Sequence, residues 1–166
     1  MVEKNSKGYG CLLAHCMGLG KTLQVIALIH TLLKNQNITK CNRVLILMPI
    51  NVIRNWENEF DKWTRSCEYK IPVYEMTNDE RILANEPKNN KRLKDLERWT
   101  QNGGVFLMGY TMFANLVHGK FLRNSTLCEK FKKCLVKPGP DLIICDEGHL
   151  LKNGSTNLAL YKNLIF

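Results

Sequence analysis

Among the uninterrupted apolar stretches of this chain, three stand outside any helical repeat and away from the N-terminus: Val44-Leu45-Ile46-Leu47-Met48, Val105-Phe106-Leu107-Met108 and Leu142-Ile143-Ile144-Cys145. Each has the length of a strand. A strand that is apolar on both faces belongs inside a parallel sheet covered on both sides. The segments between them carry a different period. From Lys21 to about Asn35 the apolar residues Val25, Leu28, Ile29, Leu32 and Leu33 follow helical spacing, and Asn35-Gln36-Asn37 ends the run. Val52, Ile53, Trp56, Phe60 and Trp63 mark a second helix, with Asn51 as its expected N-cap. Helices are also expected around Leu93, Leu96 and Trp99, over residues 110–117 and 125–136, and around Leu158, Tyr161, Leu164 and Ile165. Two further strands are expected at 10–14 and 70–76, the latter at a sheet edge because of Pro72. Strands and helices that alternate in this way predict an α/β fold, a mainly parallel sheet with helices on both faces.

The chain has 166 residues and 45% hydrophobic content, enough for one domain with a core of its own. No apolar run approaches the ~18 residues of a membrane-spanning helix. The N-terminus lacks the apolar stretch of a secretory signal. Seven cysteines occur without a C-x-x-C pair, which predicts reduced thiols, with Cys11 and Cys145 in the core, rather than a zinc site. The net charge of +9 favours polyanionic partners, nucleic acid before anionic membrane. Its basic residues gather at Lys88, Lys91, Arg92, Lys94 and Arg98, and again at Lys120, Arg123, Lys130, Lys132, Lys133 and Lys137.

Two motifs fall at the ends of expected strands, where ligands bind in a parallel α/β sheet. The first is Met17-Gly18-Leu19-Gly20-Lys21-Thr22-Leu23, between the strand at 10–14 and the helix that begins near Lys21. Glycines let a backbone approach a phosphate closely and turn its N–H groups inward, and the helix start adds its own N–H groups. Lys21 would reach the β- and γ-phosphates of ATP, and the Thr22 hydroxyl would bind Mg²⁺. The strict phosphate-loop pattern G-x-x-x-x-G-K-[ST] is broken at His15. The second motif is Asp146-Glu147-Gly148-His149. Asp146 would hold Mg²⁺, and Glu147 would orient or deprotonate the attacking water. Lys21, Asp146 and Glu147 are therefore the candidate catalytic residues. His149 is also compatible with an ordinary surface histidine.

With these residues in view, the chain resembles the first lobe of the Swi/Snf-type DNA-dependent ATPases of helicase superfamily two, whose lobes have a RecA-like P-loop fold. Residues 10–24 look like motif I, "LILMPINVIRNWENEF" (45–60) like motif Ia, "VFLMGYTMF" (105–113) like motif Ib, and "DLIICDEGHLLKN" (141–153) like motif II. Most of the family carries Asp-Glu where this chain has His15-Cys16, and "AHCMGLGKT" is the form of the ATRX-type branch. The resemblance implies a nuclear protein in which ATP hydrolysis drives movement along double-stranded DNA and remodels nucleosomes. It implies that Pro49, Asn55, Gly109 and Tyr110 lie toward the DNA backbone, whereas Trp56 and Phe60 read as core. Residues 1–166 would be a partial ATP-binding lobe, an incomplete first helicase lobe with the second lobe absent. With no arginine finger, which supplies about 10³–10⁵ in rate, turnover alone would be slow. Two alternatives stay open at this point: an RNA helicase lobe of the D-E-x-H kind, and a non-catalytic truncated product that binds nucleic acid or a partner.

Overall fold

The computed structural model describes residues 11–14, 18–76, 88–119 and 125–152. Helix α1 (Lys21–Lys34) is followed by the single turn α2 (Gln36–Thr39) and strand β1 (Arg43–Met48). A 3-10 turn over Ile50–Val52 leads into α3 (Ile53–Thr64), and β2 (Val73–Glu75) follows. Then come α4 (Lys88–Asn102), β3 (Gly104–Gly109), α5 (Tyr110–His118), α6 (Ser125–Leu135) and β4 (Leu142–Cys145). The chain closes its described part with a 3-10 turn over Gly148–Lys152.

The four strands form one sheet in the order β2-β3-β1-β4, and every pairing is parallel. The two central strands, β1 and β3, are the uninterrupted apolar runs, and β2 with its Pro72 lies at an edge, as the sequence predicts. Side chains alternate between two separate cores. Val44, Ile46 and Met48 of β1, with Val105 and Leu107 of β3, meet Ile26, Ile29 and Leu33 of α1 and Ile53, Trp56 and Phe60 of α3. Leu45 and Leu47, with Phe106 and Met108, meet Leu93, Leu96 and Trp99 of α4, Phe113 of α5 and Phe131 of α6. The result is three layers, helix on sheet on helix. The step from β1 out to β2 uses α3 on one face. The return steps, β2 to β3 and β3 to β4, use α4, α5 and α6 on the other. Opposite directions need opposite faces if all crossovers share the right-handed sense that almost all parallel units have.

Three expectations need correction. Residues 11–14 form no strand and are exposed, with Leu12 87% accessible. An apolar run becomes a strand only when a neighbour supplies a ladder of hydrogen bonds, and apolarity alone does not bring one. Cys11 is accordingly exposed rather than in the core, and Cys145 is only half-buried. Asn51 does not cap α3. It sits inside the 3-10 turn closed by the Val52 N–H donating to the Pro49 carbonyl at 3.1 Å, and Val52 takes the cap position. The described cysteines are all free thiols. Burial pushes the Cys41, Cys134 and Cys145 thiols up, which keeps them protonated and unreactive. The helix expected around Leu158 lies outside the described residues, as do Lys120 and Arg123. No described helix is long and apolar enough to cross a membrane.

Candidate active site

Parallel strands end on one edge of the sheet. Met48 pairs with Gly109, and Leu47 with Cys145, so the exits of β1, β3 and β4 are level. Pro49, Tyr110 and Asp146 are the next residues on the three chains. The Asp146 N–H still donates to the Leu47 carbonyl at 2.9 Å, which extends the β4 register into the acidic pair. Alternation along β4 puts Ile144 on the α1/α3 face and Cys145 on the other, so the Asp146 side chain returns to the α1/α3 face. There the Trp56 indole N–H of α3 donates to its Oδ2 at 2.9 Å. The Glu147 backbone N–H donates to its Oδ1 at 2.9 Å. From the opposite face, the Tyr110 hydroxyl donates to the Asp146 carbonyl at 2.7 Å. Burial, reinforced by the nearby Cys145, Asp146 and Glu147, pushes the Tyr110 phenol well above its ordinary range, so it remains a proton donor.

Glu147 has φ +54, in the left-handed region. For a residue with a side chain that conformation costs roughly 1–3 kcal/mol and persists only where its surroundings enforce it. Here Asp146 holds its N–H, and its carbonyl accepts the Leu150 N–H at 2.9 Å. The Glu147 carboxylate, about half exposed, lies 3.1 Å from His149 Nδ1. His149 is thus an exposed partner of Glu147, neither a core histidine nor a member of a metal cluster among the described residues.

The other sequence motif lies at the start of α1. Gly18 and Gly20 have φ +82 and +70, and among the described residues nothing approaches within 4 Å of where a Cβ would stand on either. Gly20 occupies the cap position with no side-chain cap. Gln24 closes the bend, donating from Nε2 to the Leu19 carbonyl at 3.1 Å and from its backbone N–H to the Gly20 carbonyl at 3.0 Å. Lys21 and Thr22 form the first turn and are half-buried, while Leu19 and Leu23 are exposed. Met17, with His15 and Cys16, lies outside the described residues. α1 and α3 pack in the same core, and α3 holds Asp146 through Trp56.

These groups suit a nucleotide with Mg²⁺. The glycine bend leaves open space beside a helix start of uncapped N–H groups, and the Thr22 hydroxyl and Asp146 carboxylate are hard oxygen donors. Among the described residues no three His, Cys, Asp or Glu side chains gather to hold a metal. That is compatible with Mg²⁺, which takes one or two protein oxygens and completes its shell with water and phosphate. Sequence reasoning missed the two residues that grip Asp146. Trp56 read only as core, which it is at 4% exposure, and Tyr110 as a DNA-side residue, yet its side chain is buried. The available signal was chemical: a buried Trp or Tyr needs an acceptor for its N–H or O–H.

Layer order, parallel sheet and the acidic pair at the exit of β4 define an α/β domain of the RecA-like class. Its fold is that of a solved Sulfolobus solfataricus SWI2/SNF2 ATPase core in complex with double-stranded DNA, with a TM-score of 0.60 over 95% of this chain and 26% of that one, at 22% identity. The chain belongs to the SNF2-related domain family, whose model matches residues 1–164. It is 42% identical over 164 residues to the human transcriptional regulator ATRX, covering 98% of this chain and 6% of that protein. It is 44% identical over 160 residues to the Drosophila melanogaster ATRX homolog, covering 95% of this chain and 12% of that protein. Against mouse helicase ARIP4 the identity is 37% over 194 residues, covering 97% of this chain and 13% of that protein. The chain therefore spans only a small part of the length of these relatives.

Proposed function

We propose that this chain is the ATP-binding part of a DNA-dependent ATPase that works on chromatin in the nucleus, with double-stranded DNA and nucleosomes as partners of the complete protein. The observation that carries this reading is the pairing, in an SNF2-related chain, of an open glycine bend at the start of α1 with an acidic pair at the exit of β4. Topology supports a shared cleft. α1 covers the same face as α3, so a right-handed entry into β1 starts from the β4 side. A helix of 14 residues spans about 21 Å and a strand of 6 about 20 Å. With the short connection 35–42, an antiparallel run of α1 along β1 carries Gly18–Thr22 to the edge where Asp146 lies, on the face its carboxylate points to.

In this site the backbone of Gly18–Gly20 and the first N–H groups of α1 receive phosphate oxygens, and the Lys21 ammonium neutralises their charge. Thr22 and Asp146 would hold Mg²⁺, which when bound offsets charge on the β- and γ-phosphates. Glu147 orients the attacking water and accepts its proton, with His149 beside it. Family membership favours the DNA translocase over an RNA helicase lobe.

The test is binding of a fluorescent ATP analogue in the presence of Mg²⁺. The wild-type chain should bind it, and Lys21→Ala should weaken binding by at least tenfold without lowering the melting temperature. Equal binding by both proteins would remove the basis for the assignment.

A further inference from the structure

We propose that Trp56 and Tyr110 are positioning residues that tie Asp146 to the starts of two helices on opposite faces of the sheet, so that displacement of either helix changes how the carboxylate is presented to Mg²⁺. This rests on Asp146 being the magnesium-holding residue. Besides its N–H, bonded to the Leu47 carbonyl of β1, Asp146 is held at three atoms: Oδ2 by Trp56 of α3, the carbonyl by Tyr110 of α5, and Oδ1 by the following backbone N–H. Both side-chain donors are almost fully buried, at 4% and 5% exposure. Neither can easily let go, because a buried N–H or O–H without an acceptor is costly. Each carboxylate oxygen has two lone pairs, so the Trp56 bond selects an orientation and leaves acceptor sites for a cation or its waters.

Both donors sit close to strand exits on the site's edge. Tyr110 directly follows β3, and Trp56 lies in the first turn of α3, after the turn that follows β1. The turn that leads into α3 is exposed at Ile50 and Asn51, with Ile50 61% accessible, whereas Gly109, the last residue of β3, is buried. A ligand that presses on this turn acts on the first turn of α3, and through the single Trp56 hydrogen bond on Asp146, while Tyr110 fixes the same residue from the buried start of α5. The two faces of the sheet thus converge on one residue, and sensitivity to events at the edge is transmitted without a long pathway.

Full-length chains carrying Trp56→Phe and Tyr110→Phe keep an aromatic ring and lose only the donor and some ring area. Binding of the fluorescent ATP analogue is titrated with Mg²⁺, and repeated in EDTA, alongside thermal melting. Trp56→Phe should raise the Mg²⁺ concentration for half-saturation by roughly tenfold, the lower end of what loss of an outer-shell partner costs. Tyr110→Phe should raise it by less, and binding in EDTA should stay within about twofold of wild type for both. An unchanged Mg²⁺ requirement, or a parallel fall in EDTA, overturns the positioning role and leaves the nucleotide site standing. A wild-type chain that ignores Mg²⁺ and nucleotide alike overturns both. Geometry is checked without nucleotide: Asp146→Ala should shift the Trp56 indole N–H resonance and Asp146→Asn should largely restore it. The indoles of Trp63 and Trp99, bonded to Glu59 and to the Gly104 carbonyl, should stay put. A Trp56 resonance indifferent to Asp146→Ala overturns the proposal.

Discussion

The two ends of the sheet use the same residue types for opposite purposes. At the edge where the strands begin, Gly103 and Gly104 have φ +73 and +100, and a Cβ on them would stand 2.2 Å from Asn42 Oδ1 and 2.4 Å from the Pro72 carbonyl oxygen. Gly18 and Gly20, which we propose to lie at the edge where the strands end, have similar backbone angles, but no described residue comes within 4 Å of where their Cβ atoms would stand. The carboxylates differ in the same way. Asp141, opening β4, accepts three hydrogen bonds, from the N–H groups of Asn42 at 3.0 Å and Arg43 at 2.8 Å and from the Arg43 guanidinium at 3.1 Å. Asp146, closing β4, is oriented but keeps acceptor capacity, and Glu147 is about half exposed. One edge spends its polar groups on the fold, and the other, in the function proposed above, offers them to a ligand.

That contrast breaks most visibly at Gly104. Gly104→Ala should cost on the order of 3–5 kcal/mol, because a side chain there meets backbone as well as an unfavourable φ. Loss of soluble protein, or a melting temperature lowered by ten degrees or more, is the expected readout, and a melting curve like wild type would contradict the packing described.

Asp141→Asn should cost less, about 1–3 kcal/mol for charge-assisted hydrogen bonds. Burial opposes the charge on Asp141, but the Arg43 guanidinium and the two backbone N–H groups outweigh it and hold the carboxyl below its ordinary range. A carboxyl depressed in the folded state stabilises above its unfolded pKa, near 3.9, and loses that contribution as the pH falls through the folded value. The stability gap between wild type and Asp141→Asn should therefore be constant above about pH 5 and close below about pH 4. A gap that persists into strong acid would mean that the bonds at this edge do not depend on the charge.

The smallest effect on stability, and the sharpest on binding, is expected at Gly20. Gly20→Ala has room for its methyl and should cost about 1–2 kcal/mol for the left-handed backbone. Binding of the ATP analogue should nevertheless fall by at least tenfold. If it binds as wild type does, the open bend is not where phosphate approaches.

Residue pattern carried the layers well and the partnerships poorly. The uninterrupted apolarity of 44–48 and 105–108 announces central parallel strands, because both faces of each must be covered. Helical spacing places α1, α3 and α4 within a few residues. Residues 11–14 show the limit: a strand requires a neighbour, and apolar residues do not name one. Asn51 failed as a cap because Pro49 offers its carbonyl for a tighter turn, an option composition does not reveal. At the site, Gly18, Gly20, Lys21, Asp146 and Glu147 stand out locally because each motif is contiguous. Trp56 and Tyr110 reach Asp146 across 90 and 36 positions, so no window of sequence contains the pair.

Those separations also bear on how the molecule assembles. Among the described residues β4 pairs only with β1, and the Asn42 and Arg43 N–H groups that donate to Asp141 close loops of 99 and 98 positions. Closing so long a loop costs entropy before any contact repays it, so pairings of this range form late. The acidic pair acquires its shape only when β4 docks, and a half-folded chain carries the glycine bend without the carboxylates proposed to complete it.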